Sequence, residues 1–479
     1  MGNKKSMKMN VILNVFNTVL TMSFSLLTYP YASRILGATN LGKINFSQSI
    51  VSYFALLAAL GFNTYAIREG ARIREDKNKV NIFSNEVFSL NGISTIISFI
   101  LMIIVVVNNA RLNPYLMLAC IQAIALFSDW ICVSWINVIF EDFLFITIRS
   151  IITQVLALIF LFIFVRNKND YYIYTLVISV SRLIPSIFNF VHVKKYCNVK
   201  FTNRVNVVTH IKPVLVFFSN TIAVSIYLNA DVTMIGLMLG DFYVGVYSVA
   251  VKIYTAIRTI IAAVYSVAIP RVSNYVAGNE WNLYKILLNR IFNAILFISI
   301  PATVMCACLS KDIILILSGS EYLEAASPLA ILAITFIVAV MGGFLAYCVA
   351  IPLRKEKIVL IATIISAIEN IVLNLYFIPN WGISGAAWTT FLSELTVCVV
   401  LFAMLRKNLH LFNWKGIFLC ICKCVIAAVP IPYILAKMNC FNMVIIDRAF
   451  QCIVAGGCYL LLNFFLKNNI LRDVLKLHK

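Results

Sequence analysis

The chain has 479 residues, 62% of them hydrophobic and only 12% charged, with a mean hydropathy of +0.93. A water-soluble domain does not bury that much apolar surface, so the expected solvent is lipid. The net charge of +20 does not point to nucleic acid, because the basic residues sit in short loops between apolar runs, where they act as topology determinants.

In chain order, Met1 to Asn10 carries Lys4, Lys5 and Lys8 and leads straight into an apolar run without a small-residue cleavage site. The first span is therefore expected to stay as an anchor. The apolar runs predict helices at 10–33, 41–67, 81–108, 113–137, 144–165, 171–192 and 213–238. They continue at 243–269, 284–309, 325–352, 357–378, 383–405, 416–436 and 445–466. The fold class expected is an all-α polytopic membrane protein of about 14 transmembrane helices. With the N-terminus placed inside, alternate loops collect 27 of the 39 lysines and arginines on the inner side against 8 on the outer. That bias predicts both termini in the cytoplasm.

The chain also repeats itself. Leu36-Gly37-Ala38-Thr39-Asn40-Leu41-Gly42 joins the first two predicted spans, and Leu239-Gly240-Asp241-Phe242-Tyr243-Val244-Gly245 joins the seventh and eighth. At the same spacing Arg68 falls on Arg271. A six-helix repeat keeps its orientation, so the copies are expected to be related by an axis along the membrane normal, with a cavity between the two lobes. The expected division is 1–195 and 210–406 as six-helix lobes, with 416–467 as two additional transmembrane helices.

Ionisable residues at membrane depth are costly and mark candidate sites. The predicted spans hold Asp129, Arg182, Asp231, Lys252, Arg258, Glu369, Glu394 and Lys423, and Arg34 lies near the outer end of the first. Arg34, Lys252, Arg258 and Arg182 are candidates for a cationic cavity that receives an anionic headgroup, because a guanidinium binds phosphate oxygens bidentately. Structural pairing with Asp231, Glu369 or Glu394 is the competing reading. Asp129 and Asp231 are the candidates for ion coupling, since a carboxylate held against apolar surface can cycle a proton. Tyr29-Pro30-Tyr31 and Pro185, Pro270, Pro301 and Pro352 lie in or near span ends and are candidate bends. The cysteines of Cys420-x-Cys422-x-Cys424 point apart at i and i+2 and read as buried hydrophobes rather than metal ligands. No catalytic or nucleotide-binding motif stands out, so an enzyme is not expected, nor a metal or bound cofactor.

Several segments resemble a known family. Thr28-Tyr-Pro-Tyr-Ala-Ser-Arg-Ile-Leu-Gly37, Leu41-Gly42, Ser47-Gln-Ser-Ile-Val-Ser-Tyr53 and Gly61-Phe-Asn-Thr-Tyr-Ala-Ile-Arg-Glu69 resemble the first helices of bacterial polysaccharide repeat-unit (O-antigen) flippases. Trp135, Glu141-Asp-Phe, Ile146-Thr-Ile-Arg149 and Pro379-Asn-Trp-Gly382-Ile-Ser-Gly385-Ala-Ala387 extend the likeness, while Val138-Ile139 stands where a Gln-Gly is expected. The resemblance implies the multidrug/oligosaccharidyl-lipid/polysaccharide exporter superfamily, in the bacterial inner membrane. It implies a substrate of undecaprenyl-diphosphate-linked oligosaccharide, moved by alternating access on a proton or sodium gradient. The implied partners are membrane lipid, a polysaccharide polymerase and chain-length proteins, with no nucleic acid. A peptidoglycan-precursor flippase, a cation-coupled drug antiporter on the same fold and a non-transporting scaffold are the alternatives.

Overall fold

The computed structural model describes residues 7–437, 444–468 and 470, and among these there is no strand. The first helices are α1 (Met7–Ala59), α2 (Phe62–Ile73), α3 (Lys77–Asn108), α4 (Leu116–Cys132), α5 (Ser134–Ile139), α6 (Phe143–Phe164), α7 (Tyr171–His192) and α8 (Val207–Met238). They are followed by α9 (Asp241–Ser266), α10 (Ile269–Ala277), α11 (Trp281–Cys308), α12 (Ser310–Leu317), α13 (Ala326–Phe344) and α14 (Glu356–Met404). The last three are α15 (Trp414–Ala428), α16 (Pro430–Lys437) and α17 (Val444–Phe465).

Among the described residues eleven helical stretches are long and apolar enough to cross a membrane. Two of them hold two predicted spans each. The stretch through α1 turns at Gly37 (φ 76°), and α14 turns at Gly382 (φ 58°), positions where glycine alone carries little strain. The predicted spans 10–33 and 41–67, the latter only as far as Ala59, are the two arms of the bent α1, and 357–378 and 383–405 those of α14; the end of the predicted 41–67 passes instead into α2. The predicted 213–238 span is the body of α8. Side chains such as Ile97 (52% exposed), Phe188 (66%) and Ile453 (72%) face outward, as a lipid solvent permits.

The structure divides into two compact units, Met1–Gly245 and Val246–Lys479. In the first, α4 packs most extensively on α7, and α1 on α3, α6 and α8. At one end Phe62, Tyr65, Phe83, Phe88, Trp135 and Val193 form a core; a second core gathers Ala32, Leu36, Leu118, Leu161 and Tyr174. In the second unit α13 packs on α14 and α11, and Tyr284, Phe336 and Phe344 are fully buried.

Several breaks escape a hydropathy reading because apolarity runs straight through them. Leu60 (φ 41°) and Gly61 (φ 84°) end α1, so that α2 leaves as a short amphipathic helix burying Phe62, Tyr65, Ala66 and Gly70 and exposing Arg68 and Arg72. Val133 (φ 39°) separates α4 from α5. In the second unit α10 takes the place of α2, and a π-helical turn at Leu345–Ala350 follows α13 as α5 follows α4. The repeat is thus carried by the order of elements as well as by the glycines.

Pro301 interrupts α11 and lacks the N–H that would bond the Phe297 carbonyl. The Tyr459 hydroxyl of α17 donates to that carbonyl at 2.8 Å. An ion pair of Arg448 with Asp312 at 3.3 Å fastens the same helix to α12, and the Asn289 side chain accepts the Asn413 N–H at 2.8 Å at the base of α15. The polar groups of the final helices therefore meet gaps in the core helices, as lipid-buried backbone requires.

Candidate functional site

The glycine repeat brings its two copies face to face. A Cβ on Gly42 would run into the backbone carbonyl of Asp241, and one on Gly245 would run into that of Ala38. Ala38 and Asp241 hold the same place in the two motifs, so the contact is reciprocal, as in a two-fold interface. The Asp241 carboxylate accepts the Tyr115 hydroxyl at 2.6 Å, and a Cβ at Gly236 would strike the Phe46 ring. Small residues here let backbones approach at the distance that membrane helices use for close packing.

The six residues singled out by charge fall in different surroundings. Arg34 on α1 and Arg182 on α7 are exposed. Asp129 on α4 is likewise open, and Arg182 lies within electrostatic reach of it across the α4–α7 contact. Asp231 is buried on α8, where the Thr233 hydroxyl donates to Ser49 at 2.9 Å and meets the Tyr53 hydroxyl at 3.1 Å on α1. The Asp231-x-Thr233 segment thus takes part in helix–helix hydrogen bonding. Lys252 on α9 is half-buried. Arg258, six residues along the same helix, pairs with Glu394 at 2.8 Å. The Glu394 side chain is only 4% exposed against 30% for Arg258, and the Tyr254 ring lies 5.9 Å from the guanidinium. Arg258 is therefore held in the structural pairing weighed from the sequence, and its charge is met by one deeply buried carboxylate.

Two polar clusters in the first unit were not legible in the sequence. His210 on α8 is buried, with Nδ1 2.7 Å from the Tyr65 hydroxyl and Nε2 2.9 Å from Glu86, so it links α8 to α2 and α3. Asp142, in the turn before α6, accepts hydrogen bonds at 2.8–2.9 Å from His192, Lys195 and Tyr196. Phe145 stacks on the His192 ring at 3.4 Å. Burial would raise the Asp142 carboxyl, but these hydrogen bonds and the Lys195 charge together outweigh it and hold it down at about 2. A folded-state value below the unfolded one stabilises above the ordinary carboxylate range and ceases to do so as pH falls through about 2. Asp142→Asn should cost about 1 kcal/mol at neutral pH, allowing for partial exposure. Thermal unfolding curves of variant and parent should converge as the pH is lowered from about 4 toward 2.

Cys420 and Cys424 lie one turn apart with sulfurs at 3.9 Å, and the Asn468 amide donates to Cys424 Sγ at 3.5 Å. The i, i+4 pair meets where the i, i+2 pairs do not. Among the described residues there is no cluster of three metal-ligating side chains.

A family model described as "Polysaccharide biosynthesis protein" matches residues 7–276, more than half of the chain. The chain belongs to this family. A second model, MatE, matches residues 217–376. The putative O-antigen transporter of Shigella dysenteriae is 23% identical over 83% of this chain and 99% of its own length. That of Escherichia coli K12 is 26% identical over 58% of this chain and 68% of its own. Among solved structures, lipid II flippase MurJ in an inward closed conformation aligns at TM-score 0.76 with 15% identity, covering 97% of this chain and all of its own. An inward-facing multidrug resistance MATE family transporter of the MOP superfamily aligns at TM-score 0.61 with 14% identity, over 84% of this chain and 98% of its own. At those identities the likeness is one of fold. Within this polysaccharide biosynthesis family the chain is a multi-pass membrane protein whose helices follow the MurJ and MATE architecture.

Proposed function

We propose that the protein is a flippase for lipid-linked saccharide repeat units of the O-antigen type, carried on undecaprenyl diphosphate. In this reading it works by alternating access in the bacterial inner membrane, with both termini cytoplasmic. The observation that carries the reading is the alignment with nearly the entire length of a putative O-antigen transporter, on a chain that places basic side chains in its spans. An anionic diphosphate needs cations at membrane depth, and the residues assigned to it are Arg34, Arg182, Lys252 and Arg258. Arg258 reaches a headgroup only when it leaves Glu394, so an anionic headgroup and the Glu394 carboxylate compete for one guanidinium. Asp129 and Asp231 are the carboxylates proposed for coupling to a proton or sodium gradient. A polymerase and chain-length proteins would take the flipped unit onward.

A drug antiporter on the same fold would favour an acidic pathway for cationic cargo, and the basic residues above speak against it. Complementation tests the reading directly. Expression in strains lacking their own flippase, across several defined surface polysaccharides, should restore polymer in at least one. A failure in all of them, with the protein inserted and folded, would overturn the assignment.

A further inference from the structure

A groove between α6 and α7 encloses about 960 Å3, near the top of the range for small-molecule sites, roughly 300–1,000 Å3. Its lining extends from Phe145 to Phe164 on α6 and from Ile173 to His192 on α7. Nineteen steps of about 1.5 Å make it some 28 Å long, close to the whole hydrocarbon thickness of about 30 Å. Pro185 stands in the α7 wall, inside the helix.

The wall is apolar along its length. Leu156, Phe160, Ile184 and Phe188 line it, and the two hydroxyls present are turned back on their own helices: Thr153 donates to the Arg149 carbonyl and Ser181 to that of Val177, each at 2.6 Å. One end alone is charged. Arg149 lines the groove there beside His192, exposed Lys194 and Lys195 follow, and the nearby Asp142 carboxylate is taken up by His192 and Lys195. Among the described residues the hydrogen-bond partner of Arg149 is Cys132 Sγ at 3.4 Å, a weak acceptor that leaves most of the guanidinium fork available.

We infer that this groove binds the prenyl chain of a polyprenyl phosphate, with Arg149 on its phosphate. The inference rests on the flippase reading and adds to it a second site for the carrier lipid, apart from the four cations assigned to the diphosphate. Length decides the occupant. A phospholipid acyl chain belongs to one leaflet and reaches about half the hydrocarbon thickness, whereas a polyprenyl chain is long enough to follow the groove from end to end. The permanent positive charge at one end matches a single phosphate terminus, and the rest of the wall offers no polar group to any other ligand.

The test uses the full chain in nanodiscs and a photoreactive polyprenyl phosphate, with peptides mapped after crosslinking. Labels are expected on α6 and α7. Excess unlabelled polyprenyl phosphate should remove them, and phosphatidylglycerol should not. Ser181→Trp, which fills the groove, should abolish groove labelling, and Arg149→Gln should weaken apparent affinity about tenfold by removing a charge-assisted contact. An unchanged melting temperature for each variant establishes that it is folded. Labelling confined to other helices would sink the groove while leaving the flippase reading intact. Equal competition by phosphatidylglycerol would make it a general lipid surface and would also overturn the inference. No specific labelling on any helix would count against both.

Discussion

Replacing Gly42 by alanine is expected to abolish complementation while the protein still inserts. The added Cβ meets the Asp241 carbonyl, a backbone atom that no rotamer change can move. The clash should cost about 3 kcal/mol in any state that keeps the motifs in contact, by analogy with overpacked cores. A state in which they part would feel none of it, so the variant should accumulate in that state. Gly245→Ala should behave alike, because Ala38 stands to Gly245 as Asp241 does to Gly42. Gly456→Ala, where a Cβ meets nothing within 4 Å, is the control and should be silent. Cysteine accessibility of residues flanking the motif would report the shift. Wild-type export and accessibility in Gly42→Ala would contradict the idea that the contact must close.

The second large effect concerns the ion pair of the second unit. Arg258→Ala leaves the Glu394 carboxylate, 4% exposed, without its cation. Breaking a buried pair from one side costs about 3 kcal/mol, and most of that is the stranded charge. Removing both partners with Arg258→Leu/Glu394→Leu should recover most of the melting temperature, which a double-mutant cycle would show. Transport separates structure from function. If Arg258 serves only to hold α9 to α14, the double variant should export normally. If it also meets the headgroup, stability returns and export does not. Arg258→Ala combined with Lys252→Ala sharpens this, and intact export there would refute the cationic role assigned to both.

The spans were legible because lipid imposes one rule on every segment that crosses it, and apolar length alone finds such segments. The turns at Gly37 and Gly240 were legible through repetition. What hydropathy could not show is where a continuous apolar run bends. Val133 and Leu60 carry positive φ without a glycine or proline at the same position to announce it, although Gly61 follows Leu60 directly. The site residues were found by type but not by partner. Arg258 and Glu394 are far apart in sequence, and only the packing of α9 beside α14 decides which acid meets which base. His210 lies ahead of the predicted 213–238 span because α8 begins at Val207, before its apolar run. Tyr65 and Glu86 meet it only after α2 folds back as a separate helix.

The bond from Tyr459 to the Phe297 carbonyl gives the end of the chain a part in biogenesis. During synthesis α11 enters the membrane well before α17, with its carbonyl freed at Pro301 and no chain yet made to cover it. Until the last helix arrives, that carbonyl has to be served by stray water or by the insertion machinery. That carbonyl is thus met late, and a ribosome stalled before Tyr459 would leave α11 with a backbone acceptor that Tyr459 has not reached. Membrane quality control would meet such a chain as an unfinished protein, even though every preceding span has been inserted.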